Sequence, residues 1–183
     1  AGSYEVDVCE IAGMTPTNCD ERNFSVTTKN VTIADIGLGF NFNALRNLNG
    51  TGKSHGYWKG NITKANDNKT SGTQETKANL IAYTNTISSL MLTPFNGLTL
   101  PVAETTLSSS DQLKLQLLAS EYNYVSGRLI NNSQPLTWSF IYWGEVVAKS
   151  PSNYSSSYRT FVKNWMDAFN NSYGGKVDGP TSY

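Results

Sequence analysis

Hydrophobic positions change period along this chain. In "AGSYEVDV", Tyr4, Val6 and Val8 alternate with Ser3, Glu5 and Asp7, which predicts a strand with one face to bury. "NFSVTTKNVTI" alternates Phe24, Val26 and Thr28 and predicts a second strand; "IGLGFNFNAL" is a candidate third, weakened by Gly37 and Gly39. From Lys53 to Thr73, Gly, Asn, Lys and Thr surround one Tyr-Trp pair, which reads as loop.

After Gln74 the period becomes helical. Leu80, Tyr83, Ile87, Leu90 and Met91 predict a helix over 74–92, stopped by Pro94 and Gly97. Leu113, Leu117, Leu118, Tyr122, Val125 and Leu129 form one stripe, with Ser109 and Gln112 spaced as a capping box and Gly127 as the turn near the end. "LTWSFIYWGEVVAKS" fits both periods, since Trp138, Phe140 and Tyr142 alternate while Trp138, Ile141, Tyr142 and Val146 share a helical face; helix is favoured. Tyr158, Phe161, Val162, Trp165 and Phe169 predict a last helix, ended by Gly174 and Gly175. Strands first and helices after predict an α+β fold: antiparallel N-terminal strands, then a mainly helical layer, with an extended N-terminal arm. Residues 1–22 form the arm and a cysteine loop, and residues 23–183 one α+β domain.

The 183 residues carry no net charge and only 15% charged residues, so the basic face of a nucleic-acid binder is not expected. No apolar run has the length of a membrane span. The start at Ala1 implies removal of a leader. Cys9 and Cys19, the only cysteines, flank a short polar loop and predict a disulfide worth roughly 3 kcal/mol in the chain-entropy model. Eight asparagines, Asn23, Asn30, Asn49, Asn61, Asn68, Asn131, Asn153 and Asn170, stand in N-glycosylation sequons. Low charge with abundant Asn, Ser, Thr and Tyr fits a surface solubilised by glycans. These features predict an extracellular, cell-surface protein.

Catalytic chemistry has little to work with. His55 is the only histidine, and no "GxSxG" elbow supplies a nucleophile. "GLGFNFNALRNLNG" lacks the third glycine of a dinucleotide site. Asp111, Glu121, Glu145 and Asp167 lie on predicted helices, and any two could form a glycosidase pair. Asp67, between Asn66 and Asn68, offers calcium only a partial ligand set, so no metal or other cofactor is expected. Tyr57 and Trp58 could stack on sugars or pack in a core.

Gly56, Tyr57, Trp58 and Lys59 spell "GYWK". "LKLQLLASEYNYVSG", Leu113 to Gly127, has the form "LxxQLLAxxLNxxxG", and "WMDAFNNSYGG", Trp165 to Gly175, has the form "LDxFNNG". In that order the three resemble a module of secreted bacterial and archaeal surface proteins. The family often places His soon after the Lys; here Gly60 and Asn61 follow, and His55 precedes the motif. The resemblance implies an extracellular, surface-associated module without an established catalytic activity. Gly56 would permit a close turn, Tyr57 and Trp58 would anchor the loop, and Lys59 would lie across the Trp ring.

The expectation is thus a non-enzymatic, glycosylated protomer of an extracellular filament or surface layer, with copies of itself as partners. Its N-terminal strand, anchored by Tyr4, Val6 and Val8, would be donated to a neighbour. The alternatives are a monomeric adhesin module that binds surface carbohydrate and, behind it, a carboxylate-pair glycoside hydrolase.

Overall fold

The computed structural model describes residues 2–6, 22–26, 52–90, 94–128 and 134–171. Two short strands, β1 (Gly2–Val6) and β2 (Arg22–Val26), pair antiparallel with Tyr4 opposite Phe24. Then come α1 (His55–Asn66), α2 (Lys77–Leu90), α3 (Leu100–Leu107), α4 (Gln112–Val125), α5 (Gln134–Lys149) and α6 (Ser156–Asn170), with a 3-10 turn at Pro151–Asn153 before α6.

The α+β expectation is overturned. The folded body is a helical bundle: six helices hold most of the described residues, and the described core is drawn from them and the Phe95–Leu98 turn. Alternation at residues 4–8 identified a local extended segment, but a sheet becomes a layer only where it buries a face against other elements. The candidate third strand, the Cys9–Cys19 loop and Val8 lie outside the described residues.

Helix α4 is the axis of the bundle and packs against each of the other five helices. From Leu115 to Asn123 every residue is buried, the pattern of a helix surrounded on all sides. Its N-cap is Asp111, whose carboxylate accepts from Lys114 N at 3.1 Å, so the expected Ser109–Gln112 box is replaced by a cap two residues later. Gly127, at φ +78°, closes the C-terminus as expected, with Arg128 N donating to Asn123 O at 2.8 Å.

The expected loop over 53–73 is instead mostly α1. Gly56 and Gly60 concealed it, because each glycine costs a helix about 1 kcal/mol relative to alanine. Both glycines are exposed, while Trp58, Ile62 and Ala65, at i, i+4 and i+7, make a buried stripe. Ser54 caps the helix by accepting from Tyr57 N. Burying Trp58 and Ile62 completely contributes several times what the glycines cost.

Helix α2 starts at Lys77, three residues later than expected, and buries Leu80, Thr84 and Ile87; Met91 and Leu92 lie outside the described residues. Helix α3, which carries Pro101 in its first turn, was not foreseen. The ambiguous segment is helical, as favoured, in α5. There Gly144 sits against α4 and α6, and a Cβ at that position would come 2.9 Å from Leu117 Cδ1 and closer still to Met166 Cε. Helix α6 buries Val162, Trp165, Met166 and Phe169. It ends at Asn170, before Gly174 and Gly175, which lie outside the described residues. No helix among the described residues is long and apolar enough to cross a membrane.

Candidate functional site

The three segments of the sequence resemblance meet in one buried hydrogen-bonded knot. Asn123 of α4 is at its centre. Its Oδ1 accepts from Lys53 N at 2.9 Å and from Trp58 Nε1 at 3.3 Å. Its Nδ2 donates to Lys53 O at 2.8 Å and to Asn170 Oδ1 at 2.9 Å. Two acceptor and two donor positions are all used, which is the full capacity of a side-chain amide. Asn170 of α6 is equally committed: its Nδ2 reaches Gln116 O and Gln116 Oε1, each at 2.9 Å, and Ser120 Oγ lies 3.0 Å from its Oδ1. Gln116 Nε2 meets His55 Nδ1 at 3.3 Å, so His55 at the start of α1 is the half-buried rim of the network.

Trp58, Ser120, Asn123 and Asn170 are fully enclosed and Gln116 nearly so. Around them the rings interlock. Trp58 stacks on Tyr122 with centroids 5.2 Å apart and meets Tyr57 and Tyr83 edge-on. The Tyr122 hydroxyl shares a 2.7 Å hydrogen bond with Thr84 Oγ1. In so dry a setting each satisfied hydrogen bond strengthens its neighbours, and each lost one strands a polar atom. The arrangement fixes α1, α4, α6 and the Lys53 backbone in one relative position.

A second cluster flanks it. Tyr57 Oη donates to Glu75 Oε1 at 2.8 Å, and Arg128 Nη2 meets the same oxygen at 2.7 Å. Burial, and then the Glu75 carboxylate, push the Tyr57 hydroxyl up to about 12, so it stays a donor. The Arg128 guanidinium lies 5.3 Å from the Trp58 ring centroid, and Lys53 Nζ lies 5.1 Å from that of Tyr57. The expectation that Lys59 lies across Trp58 is therefore corrected: Lys59 is exposed, and Arg128 takes that place. Gly56 lies in the first turn of α1 rather than in a loop turn.

Two of the sequons are structural asparagines. Asn61 is 5% exposed; its Oδ1 accepts from Gln74 N and Glu75 N, and its Nδ2 donates to Tyr57 O. Asn170 is 0% exposed. A glycan on either amide would require breaking the core, so these two are withdrawn as acceptors in the folded chain. Asn68, at φ 55°, and Asn153 are exposed on turns. Asn23 lies in β2, while Asn30, Asn49, Asn131, Cys9 and Cys19 are outside the described residues.

Of the four candidate carboxylates, the fold brings together only Glu121 of α4 and Glu145 of α5, at 0% and 1% exposure. Asp111 caps α4, and Asp167 accepts from Asn171 Nδ2. A glycosidase pair must be reached by sugar and water, and this one is sealed. Of the candidate calcium ligands, Asp67 is bound by Lys69, and Asn66 donates to Glu104. A cleft of 590 Å³ between the starts of α4 and α6 is lined by Lys114, Arg159 and Lys163, but Lys114 pairs with Asp111 and Arg159 donates to Pro151 O.

Sequence reasoning did not single out Gln116, Ser120 or Asn123 as a polar face. The signal was there: they stand at i, i+4 and i+7, one polar face on a helix whose leucines occupy other positions. No family model matches this chain, and no curated protein or solved structure matches it.

Proposed function

We propose that this chain is a structural, glycosylated protomer of an extracellular filament or surface layer, joined to its neighbours through the N-terminal arm. The observation that carries this reading is the knot itself. The residues of the three signature segments are spent on one another, and the Lys53 backbone is clamped among them. Tension passing through Lys53 would meet two backbone bonds to Asn123 in the core.

The arm offers the link. An isolated two-stranded pair is marginal in water. The Gly2–Val26 to Val6–Arg22 register can be made in trans with no new chemistry, by β1 of one copy beside β2 of the next. Such an exchange is heterologous and propagates, with Tyr4, Val6 and Val8 as its anchors. Among the described residues, exposed Asn68 and Asn153 are the acceptors offered to glycans.

The adhesin reading loses its main residue, since Trp58 at 0% exposure has no face for a sugar. Deleting residues 1–8 tests the proposal: by negative-stain microscopy and ultracentrifugation the full chain should form filaments or sheets and the truncated chain monomers. A truncated chain that still polymerises would overturn the exchange mode.

A further inference from the structure

Glu121 and Glu145 take no part in the knot, yet they are the most costly groups in the bundle to bury. Glu121 sits on the central helix, fully enclosed, and neither of its carboxyl oxygens receives a hydrogen bond from an N–H or hydroxyl group. A carboxylate left so would be expected to neutralise rather than remain charged. Glu145, on the packed neighbour α5, is the charged group among the described residues that acts on it, close enough to bond when either carboxyl holds a proton.

Among the described residues nothing offers a counter-charge to Glu121. On its own helix stands Tyr122, and on α5 stands Tyr142; burial holds both phenols protonated. Helix α1 turns His55 to Gln116, α2 turns Tyr83 to Trp58, α3 turns Glu104 to Thr63 and Asn66, and α6 turns its amide Asn170 to Gln116 and Asn123. None of these elements sets a cation against Glu121.

We infer that Glu121 and Glu145 share a proton and make the α4–α5 contact a pH-sensitive joint, closed in acid and loosened as the medium turns neutral to alkaline. In acid, a carboxyl of one residue donates to the other and the apolar contact is intact. Raising the pH removes that proton to the solvent base and leaves the enclosed Glu121 carboxylate charged in a dry interface. Burial first, and then Glu145, hold the Glu121 carboxyl well above its ordinary value of 4.5. The sign follows from proton counting. Above the ordinary value the unfolded chain has released its proton while the folded chain retains it, so unfolding becomes easier with rising pH. The stabilisation is complete below about 4.5 and is lost as pH rises through the folded value. A chain so built suits an acidic medium. This inference stands apart from the filament proposal, because a monomer would show it equally.

The test is urea unfolding of the full chain across pH 4–9, for the wild type, Glu121→Gln and Glu145→Gln. The wild-type unfolding constant should rise with pH, by up to about tenfold per pH unit for each proton released, and Glu121→Gln should flatten that slope. Backbone amides of α5 should exchange faster with pH than the intrinsic rate requires, while those of α6 should not. A wild-type midpoint that is flat or rises towards neutrality, or an equal slope in Glu121→Gln, overturns the inference. So does rescue at high pH by calcium or magnesium alone, which would make the pair a cation site. If the variants fail to fold, infrared spectroscopy of the wild type decides: a protonated-carboxyl stretch persisting at pH 7 is expected, and its absence overturns the joint.

Discussion

Replacing Asn123 with alanine removes four hydrogen bonds at once, and the cost can be worked from what each partner has left. At about 1 kcal/mol net apiece, four bonds come to about 4 kcal/mol. The partners then differ. Asn170 Oδ1 keeps Ser120 Oγ, so it is not orphaned. The Lys53 N–H and C=O are half-buried, and water recovers part of their loss. Trp58 Nε1 is enclosed and is stranded, at about 1–3 kcal/mol. The expected loss is about 3–5 kcal/mol, a large share of the 5–15 kcal/mol that holds a typical domain together. Asn123→Asp sharpens the test. It keeps the shape but turns an acceptor toward Lys53 O and Asn170 Oδ1, so it should lose at least as much as alanine. Urea unfolding followed by both far-ultraviolet dichroism and tryptophan fluorescence measures it. A loss below about 1 kcal/mol for Asn123→Ala, or a neutral Asn123→Asp, would refute the idea that this amide fastens the fold.

Gly144→Ala should lower stability by about 1–3 kcal/mol in calorimetry, because the new methyl meets Leu117 and the more pliable Met166. Arg128→Ala leaves Glu75, 6% exposed, with only the Tyr57 hydroxyl, and should cost about 3 kcal/mol by urea unfolding; Lys at 128 should recover part of the charge but not the guanidinium face over Trp58. Glycopeptide mass spectrometry of native material should find sugar on Asn68 and Asn153 and none on Asn61 or Asn170.

The helical half of this fold was largely legible in the chain. The stripes through Leu113–Val125 and Tyr158–Phe169 have a period set by burial on a helix, and they became α4 and α6. What misled was composition at α1. Glycine, asparagine and threonine report local preference, worth tenths to one kcal/mol per residue, whereas one enclosed tryptophan outweighs several of them. The α+β reading failed for a related reason: alternation near Tyr4 marks an extended segment, not a layer. Sequons misled at Asn61 and Asn170 because a three-residue pattern carries no burial. The knot was hidden because its members lie far apart in sequence, Trp58 and Asn123 being 65 positions apart. The meeting of Glu121 with Glu145 was one of several pairings the chain allowed, and only packing selected it.

The proposal that the chain builds a filament or layer is tested most directly by negative-stain electron microscopy of the native protein at neutral and acidic pH, with ultracentrifugation beside it. The account predicts regular polymers that stand up in acid and carry sugar on their exposed turns. Uniform single particles under every condition, at the mass of one bare chain, would contradict it.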